Sequence, residues 1–197
     1  IALVGLGSYG REEVCPYSDL DLLIVYQGVG ERRIEEFCSR LLGLLWDLKI
    51  KVSHSIRTLE ECFEMAGRDF SVLSTLMDAR AIAGNVELFN QLQTGRDKLI
   101  EHKAKEYIQI KLEELKARRK KFGKEIYLLE PNVMEGAGGL RDWHLVRWLS
   151  RVGLKVNDGE GLVELGLMDK AELARLKNVL GRLFRLRVML HLISGEK

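Results

Sequence analysis

The stretch from Ile1 to Tyr26 constrains the fold more than any other. IALV at 1–4 is a short apolar run ending in glycines, and LDLLIVY at 20–26 is the strongest strand signal in the chain. Both read as buried strands. Only about a dozen residues separate them, and Pro16 interrupts those. Gly5, Gly7 and Gly10 match the G-x-G-x-x-G spacing of a dinucleotide-binding turn. That turn must open a full helix leading to a parallel strand. Here Pro16 breaks the segment and the next strand arrives too soon, so the dinucleotide-binding fold is excluded.

Beyond Tyr26 the pattern becomes helical. Across Glu31–Leu48, Ile34, Phe37, Leu41, Leu44, Leu45 and Leu48 recur at steps of three and four, predicting one buried face. Ile50, Val52 and Ile56 suggest a third strand. Thr58 followed by Glu61 is a capping box opening the next helix. After about Gly95 the composition shifts. A long helix is expected over Asp97–Phe122, with a buried stripe of Ile100, Ala104, Ile108, Leu112 and Leu115 and a basic end, KARRKK, at 116–121. A loop with Pro131 and three glycines follows, then helices over Asp142–Val152 and Asp169–Ser194. The expected organisation is α+β: a core over 1–95 with a small mixed sheet, then an all-helical domain over 96–197.

Hydrophobic residues make up 46% of the 197 and the net charge is +2, so disorder is excluded as the main state. The longest uncharged apolar runs, such as LLGLLW at 41–46, fall far short of the roughly 18 residues that a membrane span needs. Such a charge does not mark a nucleic-acid binder. Cys15, Cys38 and Cys62 show no C-x-x-C pairing and read as reduced thiols of a cytoplasmic protein. Ile1 already lies inside an apolar run, which suggests a piece of a longer protein.

The chemistry concentrates at Gly7, Ser8, Asp19 and Asp21. In a strand, residues two apart share a face. Asp19 and Asp21 then aim two carboxylates one way, which is costly unless a cation lies between them. A hard divalent ion such as Mg²⁺ fits, because it takes oxygen ligands and also holds phosphates. Glycine in the Gly7-Ser8 turn lets backbone amides approach phosphate oxygens. Arg11 can neutralise further phosphate charge. The bland alternative makes Asp19 a turn cap and Asp21 a solvated edge residue.

Gly-Ser followed some ten residues later by Asp-x-Asp resembles the signature of the DNA polymerase beta-like nucleotidyltransferases. Three longer blocks, GSYGREEVCPYSDLDLLIV, LLWDLKIKVSHSIRTLEEC and LEPNVMEGAGGLRDWH, resemble the transferase half of the bacterial PII-protein uridylyltransferases. The resemblance implies a polymerase-beta-like core followed by helices. It also implies transfer of UMP from UTP, with Mg²⁺, to a tyrosine of the PII nitrogen-signalling protein. Asp19 and Asp21 would hold metal, and Gly7 and Ser8 the outer phosphates. No His-Asp dipeptide occurs, so the hydrolase part of that family is not expected here.

The superfamily usually supplies a third carboxylate from the next core strand, where this chain has Ser53, His54 and Ser55. The general base is therefore open. His54 is a candidate, and equally a supporting hydrogen-bonder or a core histidine. Arg57 can meet phosphate or a carboxylate such as Asp21. In the last block, Glu130, Asn132, Glu135, Gly138, Gly139, Arg141 and Asp142 are expected to form a tight connector, with Asp142 as N-cap. Met134 and Ala137 stand where the family usually has Lys and Pro, so a lysine–phosphate contact is not assumed. KARRKK reads first as a solvated helix end. Two alternatives stay open: another nucleotide or acceptor, such as an adenylyltransferase, and a catalytically silent nucleotide-binding module.

Overall fold

A computed structural model describes residues 1–122 and 132–195. The elements are β1 (Ala2–Gly5), α1 (Gly7–Gly10), β2 (Leu20–Val25), α2 (Glu31–Asp47), β3 (Val52–Arg57), α3 (Leu59–Arg68), α4 (Phe70–Met77), β4 (Arg80–Gly84), α5 (Val86–Phe122), α6 (Leu140–Leu154), α7 (Gly159–Glu164) and α8 (Lys170–Ser194). The chain divides into two compact units, one built on Ile1–Leu99 and the other on Ile100–Ile193. The expected α+β class holds: four strands form a small mixed sheet, and helices dominate the rest. Among the described residues no helix is long and apolar enough to cross a membrane.

In the first unit the strand order is β3-β2-β1-β4. β1 runs antiparallel to β2 and β4, while β2 and β3 are parallel. The parallel pair needs a crossover, which α2 supplies. β2 is an inner strand covered on both faces, so Leu22, Leu23, Ile24 and Val25 are all buried. Ile34, Cys38 and Leu42 of α2 pack on Ile24, with Leu3, Leu41 and Val52 beside them. The buried face of α2 thus differs from the expected one. Leu44 and Leu48 are 64% and 70% exposed. At 100° per residue, Leu44 lies about 200° around the helix from Leu42, away from the sheet.

The capping box is present: the Thr58 hydroxyl accepts from Glu61 N–H at 3.2 Å, and Glu61 accepts from Thr58 N–H at 2.8 Å. α2 ends differently. Lys49 takes φ +57, and its N–H reaches Trp46 O at 2.8 Å. Glycine usually fills such a left-handed position after a helix, and a side chain there costs roughly 1 kcal/mol.

Two elements of this unit escape local pattern. β4 reads RAIAG and is only partly buried. α5 begins at Val86 rather than Asp97, so the composition change near Gly95 falls inside a helix. A Cβ on Gly95 would stand 2.0 Å from the Phe63 ring, so that glycine admits the aromatic against the helix.

In the second unit, Tyr107, Leu140, His144, Trp148 and Val152 are buried. The buried stripe of α5 holds Ile100 as expected and continues through Tyr107 and Lys111, whereas Leu112 is exposed. Lys111 Nζ lies 5.5 Å and 5.8 Å from the Tyr107 and Trp148 ring centroids and pairs with Glu114 at 2.9 Å. A lysine is buried here because two aromatic faces and a carboxylate replace its water. The N-cap of α6 is Gly139, not Asp142. The Asp142 carboxylate instead accepts from Gly138 N–H at 2.8 Å and binds Arg118 and Arg119. Part of the basic run is therefore structural rather than solvated. Asn132 Oδ1 accepts from the N–H groups of Met134 and Glu135, both at 2.9 Å, which makes the glycine loop a tight connector. Glu130 and Pro131 lie outside the described residues.

Candidate active site

The site forms where β1 ends and β2 begins. Leu6 N–H donates to Asp21 O at 2.9 Å, which carries the strand pairing into the bend. Gly7 follows with φ +52, a conformation glycine adopts without strain. A Cβ on Gly7 would lie 2.6 Å from Asp21 Oδ2. The acid therefore faces the glycine-serine bend, and the missing side chain leaves room beside its carboxylate. The sequence predicts both Asp19 and Asp21 at this bend, and the contact seen there is that of Asp21. Gly7, Ser8, Asp19 and Asp21 are all half-buried, neither sealed in the core nor fully solvated.

The bend is held from behind. Gly10 packs so closely on the chain before β4 that a Cβ would stand 2.1 Å from Asp78 O and 2.8 Å from Gly5 O. Arg80 of β4 donates to Tyr9 O at 3.0 Å and Gly10 O at 3.3 Å, with its guanidinium 5.3 Å from the Tyr9 ring centroid. Arg11 has a different task from the expected phosphate contact. Its guanidinium binds Asp78 and Glu13, both at 2.6 Å, and its side chain is 6% exposed. Burial opposes the charge, but the carboxylates of Asp78 and Glu13 outweigh it and hold the Arg11 pKa above its ordinary value. Arg11 thus ties the end of α1 to the segment before β4. Neither Asp78 nor Arg80 carries a local signal, because each meets the bend only through the sheet.

Breaking a buried ion pair from one side leaves an uncompensated charge, which costs about 3 kcal/mol or more. Arg11→Met is therefore expected to lower stability by that amount in urea unfolding. A residue that served only to bind phosphate would leave the unfolding midpoint unchanged and weaken nucleotide binding alone.

Across β2 from the bend lies the edge strand β3. Asp21 pairs with Ser53, Leu22 with His54 and Val25 with Arg57. Paired residues share a face, so Ser53, Ser55 and Arg57 lie on the Asp21 side and His54 on the other. His54 meets Trp46 of α2 edge-on, with ring centroids 6.4 Å apart. The structure therefore does not bring His54 to the acids, and a serine stands directly opposite Asp21. Arg57 shares the acid face farther along the strand. Its charge reaches the Cys62 thiol, which burial pushes up to about 11 despite that cation. Asp19 and Ser53 line an open depression of about 560 Å³ with Trp46, Lys49 and Lys51.

Among the described residues no group of three or more His, Cys, Asp or Glu side chains is placed to hold a metal ion. Any ion at this site would rely on Asp19 and Asp21, with phosphate oxygens completing its shell.

A glycine-serine bend facing an Asp-x-Asp strand, on a small mixed sheet followed by helices, defines a nucleotidyltransferase core. Comparison with known proteins narrows the class. Residues 106–197 match the model of the GlnD PII-uridylyltransferase family. Over its whole length the chain is 34% identical to a bifunctional uridylyltransferase/uridylyl-removing enzyme of Burkholderia thailandensis and 34% identical to one of Cupriavidus metallidurans. It is 32% identical to another from Idiomarina loihiensis. The chain is similar to these uridylyltransferases over its whole length, and it spans 23% of the length of each of these relatives.

Proposed function

We propose that this chain carries a uridylyltransferase active site that moves UMP from UTP to a tyrosine of the PII signalling protein. The observation that carries it is the Asp21 carboxylate lying against the side-chain-free face of Gly7. The nucleotide and the acceptor come from the family, since no described side chain has been matched to the uracil edge. Three buried, unpaired cysteines fit a reducing cytoplasm.

Gly7 and Ser8 would cradle the β- and γ-phosphates, and the clamp behind them would keep the cradle in place. Asp19 and Asp21 would hold Mg²⁺, which when bound neutralises phosphate charge and lowers the pKa of the attacking hydroxyl. Arg57, on the same face, is offered as a further phosphate partner. The tyrosine oxygen attacks the α-phosphorus while the bond to the pyrophosphate oxygen breaks, and the phenolic proton leaves to solvent. Most of the rate enhancement would come from positioning and charge neutralisation, because the residues form no covalent intermediate.

The test is incubation of the full native protein with labelled UTP, Mg²⁺ and a PII protein, followed by mass analysis of the acceptor tyrosine. A UMP adduct on that tyrosine is expected. Ser53 standing opposite Asp21, where the superfamily usually has a carboxylate, favours a second reading: a module that binds nucleotide without transferring it. Titration with UTP, ATP and CTP in the same experiment separates the two, since that module would bind nucleotide and yield no adduct.

A further inference from the structure

In-line displacement imposes a direction on the site. The nucleophile must enter opposite the leaving pyrophosphate. The bend that would hold the outer phosphates follows β1, on one side of β2, and β3 lies on the other. On that far side is the depression lined by Asp19, Trp46, Lys49, Lys51 and Ser53. Asp19 lines it, and Ser53, which also lines it, is the cross-strand neighbour of Asp21. Trp46 in this depression is 56% exposed. An exposed aromatic side chain next to two lysines forms a surface for a partner with an aromatic ring and carboxylates.

We propose that this depression is the docking site of the acceptor polypeptide, and that it takes a loop with acidic residues flanking the reacting tyrosine. Trp46 packs on apolar or aromatic parts of the loop. Lys49 and Lys51 pair with its carboxylates and bring the hydroxyl in from the β3 side. The geometry of Lys49 gives this surface an unusual handle. It holds φ +57, where glycine sits without strain, so Lys49→Gly removes the charge without opposing the local backbone.

The inference rests on the transferase activity proposed above, and the experiment keeps the two apart. Steady-state transfer from UTP to PII is measured with the full native protein, unsubstituted and as the Lys49→Gly, Lys51→Gln double variant. The double variant is expected to raise KM for the acceptor about tenfold, to weaken its salt dependence, and to leave KM for UTP within twofold. Lys49→Gly alone should unfold at the same temperature as the parent or higher, which removes misfolding as an explanation. An unchanged acceptor KM overturns the docking site and leaves the transferase intact. A parallel rise in both KM values overturns it too, by assigning the lysines to the nucleotide. No transfer by the unsubstituted protein overturns the activity, and the docking site with it.

Discussion

Asp21→Asn is expected to reduce uridylyl transfer about a thousandfold while leaving the fold in place. The substitution keeps size and shape but removes one of the two negative charges that the proposed site would offer to magnesium. Charge stabilisation at such a site is worth several kcal/mol, and roughly 4 kcal/mol corresponds to a thousandfold in rate. Asp21 is only half-buried and its backbone carbonyl still accepts from Leu6 N–H, so the strand pairing survives. The check is single-turnover transfer alongside magnesium-dependent UTP binding. Both should fall, with circular dichroism and thermal unfolding close to the parent. Normal turnover in this variant would remove the acid pair from the chemistry.

Gly10→Ala is expected to be among the most destabilising single-methyl changes in the chain. Its added Cβ would lie 2.1 Å from Asp78 O and 2.8 Å from Gly5 O. Both are backbone atoms, so no side-chain rotation relieves the clash. Either the end of β1 or the segment before β4 must move, and the Arg11–Asp78 pair and the Arg80 hydrogen bonds resist both movements. Overpacking of this kind costs about 3 kcal/mol. Gly43→Ala is the control: its Cβ would meet nothing within 4 Å, and it sits inside α2. Replacing glycine by alanine in a helix stabilises by roughly 0.5–1 kcal/mol. Urea unfolding should therefore move in opposite directions for the two variants. A Gly10→Ala protein as stable as the parent would show that the bend is not clamped.

These expectations divide along the line between what is near in sequence and what is not. The Asp21–Gly7 contact could be foreseen because a short connection between two strong strand signals leaves few ways to fold. The Thr58–Glu61 capping box is local by nature, and it is present. His54 was harder, because its face depends on the β2–β3 register, and a slip of one residue reverses every side chain. The sequence around it carries no mark of that register. The pairing of Arg11 is hidden for a related reason: its partner Asp78 lies 67 residues away. β4 itself, as RAIAG, is short and has a single β-branched residue to announce a strand. On α2 the stripe was displaced because Cys38 serves as a core residue, while Leu44 and Leu48 stay outside.

The clamp behind the bend has a consequence for how such a site can diversify. One margin of the sheet is bolted down by Arg11, Asp78 and Arg80, so exchanges there disturb the architecture before they alter preference. The opposite margin, from Trp46 to Ser53, is held by backbone hydrogen bonds such as Leu20 N–H to Lys51 O at 2.8 Å, which leave its side chains free to vary. Under the function proposed here, mutations along it would redirect the choice of target while the phosphate chemistry is inherited intact.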